Sequence, residues 1–128
     1  LNLSDNQKKR LVFYYLFILT VLSIVPVNSS AELIPGTDKA AHFVFYFILC
    51  ALFLYSKVFK KNKNQIIIII VFSLTFGFFI ECIQGFLPWR SFEIKDLAAN
   101  LAGTISGVCV YFFTIQPRNK LTFKTKKK

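Results

Sequence analysis

Residues 66–87 read IIIIIVFSLTFGFFIECIQGFL. No charge interrupts this stretch before Glu81. About 20 apolar residues at ~1.5 Å each cross the ~30 Å hydrocarbon core of a bilayer. Lipid offers the backbone no hydrogen bonds, so the segment must satisfy its own as a helix. A barrel strand would be about half as long and would alternate apolar with polar, and this stretch does not alternate. Glu81 and Gln84 near its end are the informative residues, because polar groups inside a membrane span are costly and point to function by default.

Three more apolar runs flank this one: Leu11 to Val27, Ala40 to Phe59 and Leu97 to Ile115. The chain is 55% hydrophobic and 17% charged, against about 25% charged in soluble domains. The expected architecture is an all-α membrane protein. It is a bundle of four transmembrane helices, over about 11–27, 40–59, 66–87 and 97–115, in a single domain over 1–128. Lys57, near the end of the second run, can snorkel to the interface.

The net charge is +10, but its distribution argues against a nucleic-acid partner. Most basic residues fall in three clusters between or beyond the apolar runs: Lys8, Lys9 and Arg10; Lys57, Lys60, Lys61 and Lys63; and the tail from Arg118 to Lys128. The positive-inside rule then puts both termini in the cytoplasm. Glu32, Asp38, Glu93 and Asp96 all fall in the two opposite connections. The tail is expected to contact the anionic leaflet. A basic flank, a short apolar run and Ser29, Ser30 and Ala31 resemble a cleavable signal peptide, but an uncleaved first helix is the expectation. Cys50, Cys82 and Cys109 lie in separate runs and read as packing residues. No zinc motif, paired-histidine site or phosphate loop is present, so neither a metal nor a cofactor is expected.

At ~100° per residue, the remaining polar residues form stripes. Asp38, Lys39, His42 and Tyr46 share one arc of the second helix, whose N-cap is expected at Thr37. Gly77, Glu81 and Gln84 share one arc of the third. Asp96, Asn100, Gly103 and Gly107 share one arc of the fourth, and the two glycines mark a close-packing face. All three stripes lie at one depth near the outer face. Lys39 and Arg90 are expected at the mouth, with Trp89 as an interfacial anchor.

Asp38-Lys39-x-x-His42-Phe43-x-x-Tyr46, then Glu81-x-x-Gln84, then Arg90 with Asp96-x-x-x-Asn100-x-x-Gly103, resembles the VanZ-like family of small bacterial membrane proteins. That family takes its name from a member linked to teicoplanin resistance. The resemblance covers about Gly36 to Gly107. It implies a multi-pass protein of the bacterial inner membrane with a cell-envelope role, in contact with cell-wall precursors or their lipid carrier.

Buried polar residues can be interhelical glue, worth ~0.6–2 kcal/mol per bond, and for any one residue that reading competes. Two carboxylates and an imidazole at one depth exceed what assembly needs. The leading expectation is a pocket for an anionic lipid or cell-wall precursor head group, formed by Asp38, Lys39, His42, Tyr46, Glu81, Gln84, Arg90, Asp96 and Asn100. Lys39 and Arg90 would meet the phosphate. The first alternative is a structural or regulatory subunit beside a partner membrane protein. Behind it stands an enzyme acting on a lipid-linked phosphate, with His42, Glu81 and Asp96 as catalytic candidates. No Ser or Cys nucleophile accompanies His42 in a motif, so binding ranks ahead of catalysis.

Overall fold

The computed structural model describes residues 3–26, 36–59 and 64–114. Four helices follow one another: α1 Asp5–Ile24, α2 Thr37–Ser56, α3 Gln65–Gly85 and α4 Ile94–Thr114. No strand occurs among the described residues. The helices run alternately up and down. Lys8 near the start of α1 stacks on the Tyr55 ring at the end of α2, and Tyr15 OH donates to Phe45 O across the middle of the same pair. The fold is the all-α helical bundle read from the apolar runs.

Three helices, α2, α3 and α4, are long and apolar enough to cross a membrane. Among the described residues, α1 is not one of them. Its first turns are Asp5, Asn6, Gln7, Lys8, Lys9 and Arg10, held by a capping box in which Ser4 and Gln7 bond each other's backbone N–H. The apolar remainder, Leu11–Ile24, spans about 21 Å at 1.5 Å per residue, short of the ~30 Å core. Val27, Ser29, Ser30, Ala31, Glu32, Lys60, Lys61, Lys63 and the basic tail lie outside the described residues.

The other boundaries shift for local reasons. α2 begins at Thr37, so the N-cap is Gly36 and not Thr37. Gly36 sits at φ 90°, a left-handed conformation that glycine adopts without strain. The same helix stops at Ser56, because Lys57 takes φ 54° as its C-cap. α4 starts at Ile94, ahead of the expected apolar run, so Asp96 falls in its first helical turn.

α2 and α4 form the most extensive helix pair. Gly103 and Gly107 make it possible. A methyl on Gly103 would overlap the Phe43 carbonyl, and one on Gly107 would come 2.9 Å from Cys50 Cβ. The glycine face of α4 therefore lies against the α2 backbone, as small-residue motifs do in apolar helices. Leu49, Cys50, Phe53 and Ile69 fill the core, and Val12 and Leu19 dock α1 onto it. The outward faces carry Phe13, Phe17, Ile67, Phe79 and Phe113, as surfaces facing lipid do. Substituting Gly103 with Ala should lower stability by about 1–3 kcal/mol through overpacking, whereas Ala102→Leu on the exposed side should change it little. Unfolding of the two purified variants in detergent would reveal the contrast; equal stabilities would rule out this packing.

Candidate functional site

The polar stripes of α2, α3 and α4 converge at the end of the bundle where α2 and α4 begin and α3 ends. His42, the only histidine of the sequence, is the meeting point. Its Nδ1 lies 3.1 Å from Asn100 Oδ1. Its Nε2 lies 3.8 Å from Glu81 Oε1 and 3.8 Å from Asp96 Oδ2. All four residues are buried. One imidazole thus joins three helices.

Burying a carboxylate is costly unless hydrogen bonds or charge replace its water. Glu81 finds its bond at the start of α4: Oε2 accepts from the Glu93 backbone N–H at 3.2 Å. Glu93 immediately precedes α4, so that N–H is among those an α-helix leaves without an internal partner. The positive end of the helix favours the same charge. Asp96 shares that helix end from inside the first turn.

Two ion pairs form the rim. Lys39 Nζ lies 2.9 Å from Glu93 Oε2 and 3.7 Å from Asp96 Oδ1. Arg90 Nη1 donates to Asp38 Oδ1 at 2.9 Å. Both pairs are partly exposed and add at most about 1 kcal/mol each; their larger effect is to fix the two cations in place. Each of the two cations thus already faces a carboxylate.

Above His42, Asp38, Gln84, Pro88, Trp89, Arg90, Ser91, Glu93 and Asp96 enclose a cavity of about 350 Å³. His42, Glu81 and Asn100 are not among the lining residues. Nor is Tyr46. Its hydroxyl and Asn100 Nδ2 both point at Gly77, where a Cβ would lie 3.1 and 2.8 Å from them. Several buried atoms have no hydrogen-bond partner: Glu81 Oε1, Asp96 Oδ1, Asn100 Nδ2, Tyr46 OH and Arg90 Nε.

Gln84 is also placed by α1. Its Nε2 donates to Ser23 O at 2.8 Å, and Trp89 Nε1 donates to Ile24 O at 3.1 Å. Both acceptors are last-turn carbonyls of α1, which lack partners inside their own helix. Gln84 and Trp89 thus close the end of α1 against α3 and the α3–α4 connection. Glu93 is the residue missed as a site member. It sits outside any helical stripe, and its only signal is its place one residue before α4.

The arrangement can hold a charged or hydrogen-bonding group at the bundle end, with carboxylates below and a fixed guanidinium at the side. A family model described as VanZ/LLP1 matches residues 3–115. An uncharacterized protein of Schizosaccharomyces pombe is 29% identical over 97 residues, covering 76% of this chain and 59% of that protein. The chain thus matches about three fifths of that relative's length. No solved structure matches the chain.

Changing Gln84 to Leu strands the Ser23 carbonyl in the core, a loss of about 1–3 kcal/mol. The loss should be local. Hydrogen exchange is expected to speed up in the last turns of α1 while α2 and α4 stay protected, and uniform exchange across all four helices would contradict this docking role.

Proposed function

The chain belongs to the VanZ/LLP1 family, and on that premise we propose that it is a membrane protein that binds the head group of an anionic lipid or lipid-linked cell-wall precursor in the cavity at its bundle end. Arg90 carries the reading. It lines the cavity, Asp38 holds one end of its guanidinium, and its buried Nε–H has no hydrogen-bond partner. A fixed guanidinium with a spare donor suits a phosphate or carboxylate. The indole of Trp89 beside it suits the interface where such a head group lies. Helices α2, α3 and α4, each apolar enough to span, would leave the acyl or prenyl chain in lipid.

The proposed orientation has the cavity facing outward and both termini in the cytoplasm. It is supported by Lys8, Lys9, Arg10 and Lys57, which lie at the opposite end of the bundle from the cavity. A bacterial inner-membrane location rests on the sequence resemblance alone, since the relative named above is from a yeast. Catalysis by His42 has less support than binding, because His42 does not line the cavity.

Arg90→Ala should weaken anionic-lipid binding by about 10- to 100-fold, the loss of roughly one charge-assisted bond or two. Native mass spectrometry of the purified protein with polyprenyl phosphate and with phosphatidylcholine measures this. The wild type should retain the phosphate lipid selectively. Equal retention by a folded Arg90→Ala variant rejects the proposal.

A further inference from the structure

We propose that the cluster joining His42 to two residues of the cavity wall is a divalent-cation site, with His42 Nε2 and one carboxylate oxygen each from Asp38 and Asp96 as ligands. The proposal deepens the head-group reading and rests on the same pocket. One ligand atom from each of these residues lies within 4.8 Å of the others. Ligands ~2.0–2.2 Å from a shared metal are about 3–4.4 Å apart, so small side-chain rotations bring the set into range. Asp38 and His42 are four residues apart on one face of α2, and Asp96 meets them from the first turn of α4.

Three further observations point to a cation. His42 Nδ1 lies 3.1 Å from Asn100 Oδ1, so Nε2 is the nitrogen turned toward the carboxylates. A hydrogen bond on the far nitrogen is how proteins orient a ligating imidazole. Nε2 faces Glu81 Oε1 and Asp96 Oδ2, each at 3.8 Å. Glu81 Oε1 and Asp96 Oδ1 are buried without hydrogen bonds, and Glu81 is 0% and Asp96 2% exposed. Finally, among the described residues the ion pairs at this end set three carboxylates, Asp38, Glu93 and Asp96, against two cations, Lys39 and Arg90. One divalent ion removes the excess negative charge.

One nitrogen and two or three carboxylate oxygens suit Zn2+ or Mn2+ better than soft metals, which prefer sulfur. A cation there also answers a difficulty of the head-group reading. Asp38, Glu93 and Asp96 line the same cavity as Arg90 and would repel a phosphate. With the ion bound, a phosphate oxygen meets Arg90 on one side and the metal on the other.

Binding of Mn2+ alone to the purified full chain in detergent, without added lipid, tests this by electron paramagnetic resonance. About one Mn2+ per chain should bind saturably and be displaced by Zn2+. Spin-echo modulation should show a directly coordinated imidazole nitrogen, which His42 alone can supply. Asp38→Asn and Asp96→Asn should each weaken binding by at least about 10-fold, and Asp5→Asn, on the exposed start of α1, should not. No saturable binding, or binding without imidazole coupling, overturns the site. The wild-type echo decides the matter even where an Asp96 variant does not fold. Lipid is absent, so failure here leaves the Arg90 result on polyprenyl phosphate standing, and failure of that result leaves this one standing.

Discussion

A carboxylate held away from water needs hydrogen bonds or countercharge in its place, and Glu81 meets that need with the amide just ahead of another helix. Much of the polar end follows from this contact. It pulls the start of α4 against α3, which brings Asp96 within 3.8 Å of His42 on α2. Asn100, one turn further along α4, then reaches the other imidazole nitrogen. The α2–α4 approach that allows this depends on Gly103 and Gly107, where any larger side chain would meet the α2 backbone or Cys50. Polar geometry and helix packing are thus one constraint: the glycines set the helix separation, and that separation sets the distances at His42.

The same logic separates structural bonds from available ones. Lys39 and Arg90 are anchored by Glu93 and Asp38, and Gln84 and Trp89 cap α1. What stays without hydrogen bonds is concentrated at Glu81, Asp96, Arg90, Asn100 and Tyr46. Buried polar atoms in folded proteins are nearly always paired. Apart from Ser73 Oγ in the middle of α3, the unpartnered atoms gather around one imidazole and one cavity, which is the observation the head-group and cation proposals start from.

Much of this end was legible from helical spacing. His42 and Tyr46, Gly77, Glu81 and Gln84, and Asp96, Asn100, Gly103 and Gly107 each form a stripe, and every one of these residues is buried. Glycine spacing also announced the α2–α4 contact. The illegible parts share a cause: they involve backbone atoms or residues outside the period. Glu93 acts through its main-chain N–H and its position before a helix. Ser23 and Ile24 act through carbonyls, so no side-chain pattern announces that Gln84 and Trp89 turn toward α1. The pairing of Lys39 and Arg90 with carboxylates depends on the path of the α3–α4 connection, which spacing does not specify.

The central claim is that His42 sits between α3 and α4, bound through Nδ1 to Asn100 and facing Glu81 and Asp96 with Nε2. Because the sequence has a single histidine, solid-state NMR of protein labelled only at histidine, asparagine and the acidic residues in a bilayer reads this directly. The account predicts one imidazole whose Nδ1 is hydrogen-bonded. It also predicts through-space contacts to the Asn100 amide and to the carboxyl carbons of both Glu81 and Asp96. An imidazole that exchanges freely with water and contacts neither α3 nor α4 would contradict it.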